Sequence, residues 1–118
     1  MRVYILDKKS KSREQMEMWL SEDKRVEGIE VFEDYIQFIE RVGKAPPDFC
    51  AIRLGCDGIP GLKAADMVRQ ISLDIMIIFI SEDSEYALDA YEVGAYGYLL
   101  CPVMKDKLEK YLIMKKEM

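Results

Sequence analysis

Short runs of apolar, β-favouring residues alternate along the chain with segments whose apolar positions repeat every three or four residues. The runs cover residues 3–6 (VYIL), 29–32, 49–54 (FCAIRL), 75–80 (IMIIFI) and 98–101. The first helical segment is SKSREQMEMWL, residues 10–20, where Met16, Trp19 and Leu20 fall at i, i+3, i+4 and make one face apolar. Ser12 and Gln15 have capping-box spacing, and Ser10 is an equal candidate for the cap. Residues 34–42 predict a second helix through Tyr35, Ile36, Phe38, Ile39 and Val42, stopped by Gly43. After Pro46, Pro47 and the third run comes a turn-rich loop, GCDGIPG. Leu62, Ala65, Val68, Arg69 and Ile71 then continue as a helix. Residues 84–93 predict a fourth helix ended by Gly94, with Glu82, Asp83 and Glu85 at the end that the helix dipole makes favourable for acids. Met104, Leu108, Tyr111 and Leu112 share one face of the last helix.

This order amounts to five βα units with short connections, which implies one α/β domain: a parallel sheet, helices on both faces, right-handed crossovers. The unbroken apolar run at 75–80 suits a central strand covered on both faces. In such sheets chemistry gathers at the carboxyl ends of the strands. The positions to inspect are therefore Asp7 and Lys8, Arg53, Ser81, and Cys101 with Pro102.

Composition narrows the function. A length of 118 residues suits a single domain, and 50% apolar content supplies a core. The net charge of −5 argues against an extended nucleic-acid footprint and against docking on an anionic membrane. No apolar run approaches the roughly 18 residues of a spanning helix, and the start of the chain lacks signal-peptide anatomy. A cytoplasmic domain is expected. The three cysteines, Cys50, Cys56 and Cys101, form no CxxC pair and there is no histidine, so a Cys/His zinc site is excluded. Lack of histidine also removes the usual general base and phosphoryl relay. No GxGxxG, no GxxxxGK[ST] and no nucleophile beside a base is present, so a flavodoxin-like enzyme or nucleotide binder is the weaker alternative.

The stretch IIFISEDSEYALDAYEVGAYGYLLCP, residues 77–102, resembles the fourth strand, fourth helix and fifth strand of response-regulator receiver domains. PPDFCAIRLGCDGIPGL, residues 46–62, is similar to the third strand and following loop of that family, and ILDKKS to the end of its first strand. The wording EYALDAYEVGA is nearest to receivers of LytR/AlgR-type transcription regulators. The resemblance spans essentially the whole chain. It implies a CheY-like, flavodoxin-like three-layer α/β/α sandwich with sheet order 2-1-3-4-5. It also implies two-component signalling, and a parent regulator with a DNA-binding output domain after the last helix. At the family's working positions an acidic pair that binds magnesium reads Asp7 and Lys8, and the phosphoryl-accepting aspartate reads Arg53. The serine or threonine after strand four is kept as Ser81. The lysine before proline after strand five reads Cys101, and the switch aromatic is Tyr98.

Those departures bear on chemistry. A phosphoryl acceptor must be a nucleophilic carboxylate, and a guanidinium stays charged at neutral pH. Magnesium wants oxygen ligands, yet Asp7 alone remains, with Lys8 and Arg53 expected to share its neighbourhood. The expectation is a pseudo-receiver with no cofactor and no metal, not an enzyme, acting through protein contacts independently of phosphorylation. The alternative is a receiver with an unconventional acceptor, for which Asp57 is the one carboxylate in the loop after strand three. Arg53 either pairs with Asp7, locking the domain, or points to solvent; the ion pair is the expectation. Cys56 and Cys101 are candidates for a redox link, against a default of small buried thiols, and Cys50 and Met16 are expected in the core, with Met18 left open. A homodimer is expected through the fourth helix, fifth strand and fifth helix, where acidic Glu85, Asp89 and Glu92 would meet basic Lys107 and Lys110 of a second copy.

Overall fold

The computed structural model describes residues 1–55 and 59–118, so Cys56 and Asp57 lie outside the described residues. Among these, strands and helices alternate as β1 (Arg2–Leu6), α1 (Ser10–Ser21), β2 (Gly28–Phe32), α2 (Tyr35–Lys44), β3 (Phe49–Arg53), α3 (Ile59–Ile71), β4 (Met76–Ser81), α4 (Ala87–Glu92), β5 (Gly97–Leu100) and α5 (Lys105–Glu117). The sheet is parallel throughout, in the order β2-β1-β3-β4-β5. This is the expected flavodoxin-like arrangement.

Alternation along the strands assigns each residue to a layer. Tyr4 and Leu6 of β1, Cys50 and Ile52 of β3, and Ile77 and Phe79 of β4 pack with Phe38 and Val42 of α2, Ala64, Ala65 and Val68 of α3, and Ala90 of α4. Val3, Ile5, Phe49, Ala51, Met76, Ile78 and Ile80 pack on the other side with Met16 and Leu20 of α1 and Leu108 and Leu112 of α5. Both faces of β4 are thus covered, and its residues are all buried. Each such large side chain contributes about 1.5–3 kcal/mol. Met16 and Cys50 are core residues, as expected, whereas Met18 is half exposed. Burial pushes the Cys50 thiol well above the usual range.

Several local expectations are corrected. α2 does not stop at Gly43. It runs to Lys44, and the Ala45 N–H closes on the Arg41 carbonyl. A glycine ends a helix when it takes a left-handed conformation, and among the described residues only Gly94 does so (φ 85°), just beyond α4. α4 is shorter than expected because the Asp83 carboxylate accepts the Glu85 N–H at 2.9 Å, holding residues 83–85 in a local turn that competes with the first helical turn. Neither Ser10 nor Ser12 caps α1: Lys9 occupies the N-cap with no side-chain hydrogen bond, and the Ser12 hydroxyl is engaged elsewhere. The ends of β3, β4 and β5 shift by one residue from the apolar runs, within ordinary fraying.

At the amino end of the sheet, Glu30 of β2 accepts from Arg41 Nε and Nη2 at 2.9 and 3.2 Å and from Arg2 Nη2 at 3.1 Å, joining β1, β2 and α2. The Arg41 hydrogen bonds hold the Glu30 carboxyl below its ordinary range. The unfolded chain then takes up this proton more readily than the folded one. The contribution is complete above the unfolded value of about 4.3 and is lost as pH falls through the lower folded value. The urea midpoint should therefore fall between about pH 5 and about pH 3, and fall less in Glu30→Gln. Gly97 lies under the ring of Tyr111 from α5, where an added methyl would overlap the ring carbons. Gly97→Ala should cost about 1–3 kcal/mol in urea unfolding, with less lost when Tyr111→Leu is present as well.

Candidate functional site

The site is the carboxyl edge of the sheet, and the register of β1 against β3 builds it. Val3 stands beside Phe49 and Leu6 beside Ile52. One residue further, Asp7 falls beside Arg53, and alternation turns both toward the α1 and α5 layer. Arg53 Nε donates to Asp7 Oδ1 at 2.6 Å, with the side chains 8% and 0% exposed. This is the ion pair expected from the sequence. Arg53 Nη2 donates to the Ser12 hydroxyl in the first turn of α1 at 2.8 Å, and Nη1 stands 4.0 Å from Glu82 after β4. Asp7 Oδ1 also accepts the Lys9 N–H at 2.9 Å, while Oδ2 is buried without a hydrogen-bond partner among the described residues. Arg13 Nη1 donates to the Asp7 carbonyl at 2.8 Å and its Nη2 pairs with Glu33 after β2 at 2.9 Å. Lys9 Nζ pairs with Glu82.

The other named residues are dispersed around this pair. Lys8, expected beside Asp7 with Arg53, lines one cleft with Arg53 and makes no ion pair with Asp7. It is exposed, pairs with no carboxylate among the described residues, and borders a cleft with Leu6, Tyr35 and Pro60. The second cation of the network is Lys9, because the turn into α1 carries its amide to Asp7 and its ammonium to Glu82. Ser81 is buried at 3%, and its hydroxyl accepts the Asp83 N–H at 3.3 Å rather than meeting Arg53. Cys101 is a partly buried free thiol that lines a groove of about 470 Å³ with Ser12, Trp19, Arg53 and Pro102. Tyr98 is half-buried, and its hydroxyl donates to the Asp83 carbonyl at 2.8 Å, fastening β5 to the β4–α4 segment. Glu85, Asp89, Glu92, Lys107 and Lys110 are all exposed, and no ion pair among the described residues joins α4 to α5. Sequence reasoning missed Ser12, Arg13, Lys9 and Glu82 as site residues. The basic residues of the cluster KKSKSR just after strand one were the available signal for Lys9 and Arg13.

The family model for the response regulator receiver domain matches residues 3–113. The chain belongs to that family. This receiver is 30% identical over 112 residues to an uncharacterized response regulatory protein of Yersinia pestis, covering 95% of this chain and 47% of the relative. It is 30% identical over 111 residues to the transcriptional regulatory protein BtsR of Escherichia coli, covering 94% and 46%. It is 24% identical over 112 residues to the sensory transduction protein LytT of Bacillus anthracis, covering 95% and 46%. The receiver therefore spans about half the length of these curated relatives. Among solved structures, the response regulatory domain of mrkE from Klebsiella pneumoniae superposes with a TM-score of 0.88 at 19% identity, covering 99% of this chain and 96% of that one. A response regulator from Chloroflexus aurantiacus superposes with a TM-score of 0.86 at 20% identity, covering 99% and 98%. No helix of the described residues is long and apolar enough to cross a membrane.

The magnesium implied by the family does not fit the residues present. A small hard cation needs several oxygen ligands in near-octahedral array. Here Asp7 is the one carboxylate at the strand-one position, its Oδ1 is engaged by Arg53 and Lys9, and a guanidinium stands beside it. Among the described residues no three His, Cys, Asp or Glu side chains converge as a metal site.

Removing one member of a buried pair leaves an uncompensated charge, at about 3–5 kcal/mol. Arg53→Met should destabilise the domain by that order in urea unfolding. Asp7→Leu combined with Arg53→Met should recover most of the loss, since no orphan charge then remains.

Proposed function

We propose that this receiver works as a pseudo-receiver: it signals through protein–protein contact without phosphorylation at the strand-three position, and it is not an enzyme. The observation that carries this is the Arg53 guanidinium 2.6 Å from Asp7, both buried, at the place where the family carries its acceptor. A charged guanidinium offers no nucleophilic lone pair. Its attraction for Asp7 acts in the same place as the charge neutralisation that metal and phosphoryl supply in the family. The Asp7–Arg53 pair thereby stays made without a covalent signal. Cys101, in place of the lysine, removes the cation that the family places after strand five to pair with the transferred phosphoryl group.

The output surface of this reading is α4–β5–α5. Leu88, Tyr91 and Leu100 are 72%, 58% and 52% exposed there and supply apolar side chains for a protein contact. Glu85, Asp89 and Glu92 lie on or just before α4, Lys107 and Lys110 on α5. A two-fold partner would set acids against lysines around an apolar centre, so the proposed partner is a second copy of the domain. The similarity to transcriptional regulatory proteins supports a role in a cytoplasmic regulator of transcription. In that role this domain makes protein contacts, and nucleic acid and membrane are left to other parts. Tyr98 ties β5 to the Asp83 carbonyl, so the loop at the site and the proposed interface share one fastening point.

Two measurements test this. Incubation with acetyl phosphate and magnesium should leave the intact mass unchanged, and a stoichiometric phosphoryl adduct on the chain would overturn the reading. Light scattering across concentration should give a dimer that weakens with added salt. Charge reversal at Lys107 and Lys110 should leave a monomer, and restoring the pairing by reversing Asp89 and Glu92 as well should bring the dimer back.

A further inference from the structure

Arg53 is not fully engaged. Its Nε and Nη2 donate to Asp7 and Ser12, whereas Nη1 makes no hydrogen bond with a described residue and stands 4.0 Å from Glu82 Oε1. The side chain is 8% exposed, yet Arg53 borders both the groove with Cys101 and the cleft with Tyr35. The same Glu82 oxygen also pairs with Lys9 Nζ, and Lys9 lines both of these cavities too. Glu82 therefore lies between two cations as a tethered carboxylate. Of the charged residues that line the two cavities, Lys8, Lys9, Lys11 and Arg53 are basic and Glu33 is acidic, although the chain as a whole carries −5.

We propose that Lys9 and Arg53 form a reversible site for an external oxyanion, a phosphate or carboxylate group, which the Glu82 carboxylate fills from within the chain until it is displaced. The two interactions that meet here differ in kind. The Asp7–Arg53 pair is buried and stays made, holding the guanidinium in position. The Lys9–Glu82 pair is 58% and 62% exposed, of the class that adds little stability and is readily exchanged. An incoming oxyanion accepts charge-assisted hydrogen bonds from Arg53 Nη1 and from the Lys9 ammonium, and releases Glu82. Glu82 neighbours Asp83, whose carbonyl takes the Tyr98 hydroxyl, so release acts directly on the segment that fastens α4 to β5. The inference rests on the proposed function in one respect: it supplies a noncovalent stimulus to a domain that takes no covalent one.

The test is titration of the full chain with sodium phosphate and with sodium acetate, against sodium chloride at constant ionic strength, followed by amide chemical shifts. Lys9 and Glu82 are exposed, so Lys9→Gln and Glu82→Gln keep the fold. Saturable shifts at residues 9, 53 and 82 are expected with at least one of the two anions and not with chloride. The anion that saturates at lower concentration identifies the source chemistry. Glu82→Gln, lacking the internal competitor, should bind roughly 2–5-fold tighter, and Lys9→Gln should lose the response. The site is overturned by chloride-like behaviour in both wild type and Glu82→Gln, by equal affinity in those two, or by a Lys9→Gln variant that binds normally. Intact mass of a parallel sample incubated with acetyl phosphate and magnesium separates this from the broader reading: an adduct that survives denaturation contradicts phosphorylation independence, whereas absent shifts with no adduct contradict the anion site alone.

Discussion

A guanidinium and a carboxylate buried side by side at the carboxyl edge of the sheet set the terms for everything else in this domain. Neither Asp7 nor Arg53 would be tolerated alone at this depth. Their partnership follows from strand register: the β1–β3 ladder brings Asp7 beside Arg53, and both turn toward α1 and α5. From that pair the edge is assembled outward. Arg53 reaches Ser12 and so anchors the first turn of α1, a helix that has no side-chain cap. Lys9 and Arg13 then extend the network to the ends of β4 and β2 through Glu82 and Glu33.

The remainder of the molecule divides by depth. Below the edge lie two apolar layers packed on a parallel sheet, with β4 sealed on both faces and no charge among its buried residues. The layers are apolar and the ionic groups of the site are confined to the rim above them. At the far end of the sheet a separate ionic cluster of Glu30, Arg2 and Arg41 joins β1, β2 and α2 and has no connection to the site. The site adjoins instead the Glu82–Asp83 segment, where Ser81 and Tyr98 both hydrogen-bond to Asp83.

Much of this was readable from residue order. The run IMIIFI suits a strand covered on both sides, and the alternation of such runs with helical periods led to the parallel sheet. Asp7 and Arg53 were identifiable because each directly follows or ends an apolar run, which locates it at one sheet edge. The misreadings arose where a local signal has two meanings. Gly43 resembles a helix stop but sits within α2 in helical conformation. The acids before α4 resemble a first helical turn, yet the Asp83 carboxylate forms its own turn with Glu85. Ser12 resembles a cap and is instead a ligand of Arg53.

Side-chain chemistry and chain order were enough for the architecture, the family, the arginine at the end of strand three and the Asp7–Arg53 partnership. They did not distinguish Lys8 from Lys9. These adjacent lysines are chemically alike, and the direction in which the chain leaves β1 for α1 makes one a solvated neighbour and the other a hydrogen-bonding member of the site. Glu82 and Ser12 were equally beyond reach, because their roles depend on side chains that converge from segments far apart in the chain. Periodicity records which face a residue occupies. Only the packed arrangement of loops and helix ends brings particular atoms within hydrogen-bonding distance of one another.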